Sequence, residues 1–124
     1  MVLDRDLLQD PGELRRILVH ELAHFAWLRF GNPQREAWET VVRNERRSGC
    51  RGELGWSAEW RKHALLADEG RPFREYLCES FCDSAAYLYR HPHSHPHPEH
   101  TLANRFRLRR VHCLSRLFGE EIRV

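Results

Sequence analysis

The sequence predicts a mainly helical domain, with a small α+β arrangement as the variant left open by two short candidate strands. Three observations lead there. Apolar residues recur at helical spacing in segments divided by Gly and Pro breaks. The only strand candidates are Val2-Leu3 and residues 121–124. The 124 residues give room for one core, at about 150 residues per domain. Residues 1–124 are therefore read as one compact domain. Hydrophobic residues at 41% and charged residues at 31% exclude collagen-like, mucin-like and fully disordered classes.

The elements follow in order. Asp10-Pro11 is a helix start, a capping side chain followed by a ring suited to the first helical position. The spacing predicts a helix over residues 11–30, stopped by Gly31-Asn32-Pro33 with Gly31 as a left-handed cap. Leu14, Ile17, Leu18, Leu22, Phe25, Trp27 and Leu28 leave this helix only a narrow polar strip, so it is expected to be central and buried on most sides. Residues 34–47 form a second helix, ended by Ser48-Gly49. Residues 51–55 read as a loop, and Ser57 is expected to cap a short helix through residue 67. A second long helix spans residues 73–90, where Ser80, Ser84, Ala85 and Ala86 allow close approach of a neighbour. Residues 91–98 alternate His with Pro and read as an extended loop. A last helix covers residues 102–118.

Charge narrows the partners. Twenty basic against eighteen acidic residues leave +2, too little to indicate nucleic acid from bulk charge, although nineteen of the twenty are Arg. No apolar run reaches the ~18 residues that span a bilayer. The start lacks a basic-then-apolar export signal, so the expected location is cytoplasmic, with Cys50, Cys78, Cys82 and Cys113 as reduced thiols.

The first helix carries His20-Glu21-Leu22-Ala23-His24, an H-E-x-x-H pattern. Two His four apart share a helix face and can bind one Zn²⁺. Glu21 lies about 100° around the helix from His20, where its carboxylate can reach a metal-bound water without being a ligand. The competing reading is a satisfied core cluster, but a buried His, Glu and His are costly without a metal or partner. Zinc needs a third protein ligand and keeps a fourth position for water. The second long helix offers Glu75, Glu79 and Asp83 on one face.

With Glu79-Ser80-Phe81-Cys82-Asp83 added, the sequence resembles the gluzincins, thermolysin-like zinc metallopeptidases whose H-E-x-x-H is completed by E-x-x-x-D on a downstream helix. The resemblance implies a zincin-like domain in which two core helices carry the ligands of one Zn²⁺ ion. It makes His20, His24 and Glu79 the ligands, Asp83 the carboxylate orienting a ligand imidazole, and Glu21 the catalytic acid–base. It implies hydrolysis of a peptide or protein substrate. About ten residues precede the zinc helix here, where thermolysin-like enzymes carry a β-sheet, so the resemblance is to a minimal single-domain form.

Several residues compete for roles. Glu75 is the rival third ligand, and Cys78 with Cys82 could bind a soft metal. His91, His93, His95, His97 and His100 form either a solvated loop or a metal-loading arm. An oxyanion needs a donor; the candidates are Tyr76, Tyr87, Arg107, Arg110 and His100, with Arg107 and Arg110 alternatively paired to Glu75 or Asp83. The expected function is a zinc-dependent metallopeptidase. Its alternative is a non-catalytic zinc-binding module, closed at the fourth position by His100, a Cys or Glu75, that acts through a protein or nucleic-acid partner.

Overall fold

The computed structural model describes residues 11–90 and 100–122 and is mainly helical. The described elements are α1 (Pro11–Arg29), α2 (Asn32–Arg47), α3 (Trp56–Ala64), α4 (Gly70–Leu88) and α5 (Asn104–Ile122). No strand occurs among the described residues. Residues 121 and 122, half of the C-terminal strand candidate, belong to α5; residues 123–124, Val2-Leu3 and the 91–98 tract lie outside the described residues. No helix is long and apolar enough to cross a membrane.

α4 is the central element. α1 and α3 lie along it, while α2 packs on α5 and both touch α4. Its buried run includes Phe73, Tyr76, Leu77 and every residue from Ser80 to Ala86, and the small side chains there let neighbouring helices approach as expected. Phe81 sits at the middle, with the rings of Trp27, Phe30, Trp38 and Phe118 at 5.2, 5.4, 5.6 and 5.8 Å. Burying each such side chain contributes about 1.5–3 kcal/mol. Trp38 also donates from Nε1 to Ser80 Oγ at 3.1 Å, which satisfies two polar groups inside the core.

Two local expectations are corrected. α1 is not buried on most sides: Leu22, Phe25 and Leu28 are 66%, 64% and 71% exposed, and only Ala23 and Trp27 are buried within the helix. Among the described helices it packs along one face, on α4, so the opposite apolar face stays outside. Gly31 is not a left-handed cap; it stands extended at φ −81° and opens α2, with Pro33 in that helix's first turn. Gly49, by contrast, takes the left-handed φ of 69° after α2, as Ser48-Gly49 predicts.

The loop between α2 and α3 is anchored by charge. Glu45 and Glu53 are 2% and 0% exposed, and Arg110 is fully buried between them. Arg110 donates to Glu45 at 2.8 and 2.6 Å and to Glu53 at 2.8 and 3.1 Å. Tyr76 and Lys62 also donate to Glu53. Two carboxylates thus meet two cations, which answers the desolvation cost of burying them. The far side of the loop is tied to Thr101, whose amide donates to Glu53 O at 2.8 Å.

Candidate metal centre

The centre forms where α1 crosses α4, with the start of α3 closing one side. His20 and His24 occupy one face of α1, and their Nε2 atoms stand 3.3 Å apart. Glu79 on α4 faces both, with Oε2 at 3.2 Å from His20 Nε2 and Oε1 at 3.2 Å from His24 Nε2. Three ligands held about 2.0–2.1 Å from one tetrahedral cation stand roughly 3.3 Å from one another. The two imidazole nitrogens thus stand at about the ligand–ligand spacing of a small four-coordinate ion, and each faces its own Glu79 oxygen at nearly the same distance.

Supporting contacts fix each donor. His20 Nδ1 meets Asp83 Oδ1 at 2.9 Å, which directs its Nε2 toward Glu79. The other Asp83 oxygen accepts the Ala58 amide at 2.9 Å, so the carboxylate also ties the start of α3 to α4. Ser57 donates from Oγ to Glu79 Oε2 at 2.6 Å. This overturns its expected role as a helix cap: Gly55 occupies that position, with no side-chain cap bond. Gly55 is sterically required, because a Cβ there would lie 2.3 Å from Asp83 Cγ. The Nδ1 of His24 faces Cys78 Sγ at 3.7 Å, a weaker partner than a carboxylate.

The electrostatics of the cluster favour a positive charge. Burial works against a charged His20, but hydrogen bonds with Asp83 and Glu79 outweigh it and raise the group from 6.5 to about 9. Burial likewise pushes Glu79 up, yet the hydrogen bonds from His20 and Ser57 and the nearby His24 hold it at about 2. Without a metal the cluster keeps a proton among these donors.

A possible metal-binding group also includes sulfur: His20, His24 and Cys82 each place a ligand atom within 4.8 Å of the others. Glu79 stands 3.2 Å from both imidazoles and is already an anion. Cys82 is fully buried, and its hydrogen bond with Cys78, followed by burial, pushes its thiol up. Glu79 and Cys82 are thus the two candidate third donors, one an anion and the other a buried thiol.

A cavity of about 210 Å³ opens beside the cluster, lined by Arg16, Ile17, Glu21, Trp56 and Ser57 around His20 and Asp83. Glu21 is exposed on this wall. The other sequence candidates lie elsewhere. Glu75 is on the surface, bound to Arg71 at 3.1 Å. Tyr76 is buried and donates to Glu53, and Arg110 pairs with Glu45 and Glu53 rather than with Glu75 or Asp83. Arg107 donates to the carbonyls of Leu102 and His100. Tyr87 packs against Leu54, Leu102 and Phe106 and meets the His100 ring edge-on at 5.1 Å. None of these six lines the cavity.

Sequence reasoning missed Arg16 and Trp56. Arg16 is held by two hydrogen bonds from its guanidinium to Glu13. Its signal was its position four residues before His20, on the same helix face. Trp56 gave no signal, because only the packing of α3 brings it to the cavity. Comparison with models of protein families, with curated proteins and with solved structures finds no match.

Proposed function

We propose that the protein is a zinc-dependent metallopeptidase of the gluzincin kind, acting on a peptide or protein substrate. The observation that carries this reading is the meeting of His20, His24 and Glu79 at 3.2–3.3 Å, next to a cavity whose wall includes Glu21. The donor set fits Zn²⁺, which accepts imidazole nitrogen and carboxylate oxygen in tetrahedral sites. His20, His24 and Glu79 would hold the ion.

Zinc, when bound, supplies a Lewis acid for the scissile carbonyl and lowers the pKa of water. The chain's own residues do the rest. Glu21 accepts a proton from the attacking water and delivers it to the leaving amine. Arg16, paired with Glu13, lines the cavity and would donate to the developing oxyanion. Asp83 fixes the His20 ring, and Ser57 fixes Glu79.

Replacing Glu21 tests the assignment. Glu21→Gln should retain one zinc per chain while the hydrolysis rate falls by about 10²–10⁴. Wild-type activity in that variant against a peptide library would overturn the catalytic role.

One observation favours the second reading, a zinc module without turnover: the proximity of Cys82 to both imidazoles. A sulfur ligand would close the fourth position. A thiolate-to-metal absorption band in the cobalt-substituted protein, lost in Cys82→Ser, would decide for the closed site.

A further inference from the structure

The four tryptophans fall into two pairs. Trp27 and Trp38 are core residues, 9% and 0% exposed, whereas Trp56 and Trp60 keep 61% and 44% of their surface. Two indoles left exposed together on a nine-residue helix are the kind of apolar surface that marks a binding site. They lie four apart on α3 and so share one face, with ring centroids 6.0 Å apart. Trp56 lines the cavity beside His20 and Glu21, and Trp60 continues from it by one helical turn, about 6 Å.

The pair is braced to the metal centre. The Arg61 guanidinium lies over the Trp60 ring, 4.3 Å from its centroid. The same guanidinium donates to the carbonyl and hydroxyl of Ser57 at 3.0 and 3.2 Å, and Ser57 holds Glu79. One helical turn therefore fixes both a metal donor and the aromatic surface leading away from it.

We propose that Trp56 and Trp60 form a specificity subsite for an aromatic side chain of the peptide whose reacting bond lies at the metal centre. The proposal rests on the metallopeptidase reading and adds the substrate class. Indole faces and edges attract another ring by offset or edge-to-face stacking, a gain of about two- to tenfold in affinity beyond what buried area supplies. Arg61 already occupies the cation position over Trp60, so a basic side chain meets like charge there and a neutral ring does not.

The test uses zinc-loaded Glu21→Gln protein, which binds peptide without consuming it. The probes are two capped hexapeptides, one all Ala and one with a central Phe. Binding is read by intrinsic fluorescence, in which Trp56 and Trp60 are the solvent-exposed emitters. The Phe peptide should bind about tenfold more tightly than the Ala peptide and shift the emission to shorter wavelength. Trp60→Ala should reduce that preference to twofold or less, with zinc content and helical circular dichroism unchanged. Equal affinity for the two peptides, binding of neither, or a preference that survives Trp60→Ala would each overturn the subsite. Failure of the peptidase reading registers separately, as absence of hydrolysis in the wild-type protein.

Discussion

The candidate metal centre and the Arg110 network are both clusters of ionisable side chains attached to α4, and they meet the cost of burial in different ways. Around Arg110 the ledger of charge is complete: two carboxylates face Arg110 and Lys62, and Tyr76 donates to one of them. Burial tends to raise Glu53, but the Arg110 charge and hydrogen bonds overcome it and hold the group down. At the candidate metal centre two imidazoles and a carboxylate aim at one another with no Arg or Lys between them among the described residues. A closed network is a structural device. At the candidate metal centre the charge that balances Glu79 is a proton on His20, which a metal ion can replace where Arg110 cannot be replaced.

The largest effect expected from breaking this contrast is on the closed network. Arg110→Met leaves Glu45 and Glu53 buried without their main partner and should cost about 3–5 kcal/mol, measured as the shift in urea unfolding. A loss below 1 kcal/mol would mean the carboxylates are relieved by water or protonation, and the two regions would then be more alike than they look.

Gly55 sharpens the comparison from the other side. A methyl group at Gly55 would clash with the Asp83 carboxylate, which orients His20. Gly55→Ala should weaken zinc binding by about 10–100-fold, the usual cost of losing such a carboxylate contact, while stability falls less than in Arg110→Met. Competition with a chromophoric chelator measures it. Unchanged affinity would show that Asp83 does not position the ligand.

The remaining effect is a pH dependence whose alkaline limb belongs to the candidate metal centre. His20 is raised to about 9, so its contribution to folding in metal-free protein is full below its ordinary 6.5 and is lost as pH rises through 9. Glu79 is lowered to about 2 from 4.5, so its contribution is full above 4.5 and is lost as pH falls through 2. Metal-free protein should therefore be most stable between about pH 4.5 and 6.5, and zinc should remove the decline on the alkaline side by taking the proton's place. Urea midpoints against pH, with and without a chelator, check this. A flat alkaline limb in the metal-free protein would mean that the donors hold no proton.

Much of the fold is legible because helix signals are local. Pro11, Ser48-Gly49 and the periodicity of residues 73–90 mark elements within a few residues of where they lie. The pairing of His20 with His24 is local too, since a helix alone brings i and i+4 together. Assigning Glu79 and Asp83 required a pattern on a second helix, and the spacing of that pattern places both on one face.

The remainder depended on which helices pack together, and local spacing does not carry that information. The sequence marks α1 as the most apolar helix, yet α4 became the centre because its small residues Ser80, Ser84, Ala85 and Ala86 admit neighbours on more sides. Arg110 sits on an apolar arc that demands a partner, but Glu45 and Glu53 lie 65 and 57 residues away along the chain, and only the docking of α5 and the 48–55 loop selects them over Glu75 or Asp83. Ser57, Arg16 and Trp56 reach the cavity for the same reason. Helical periodicity determined which residues share a face; tertiary contact decided which face meets which.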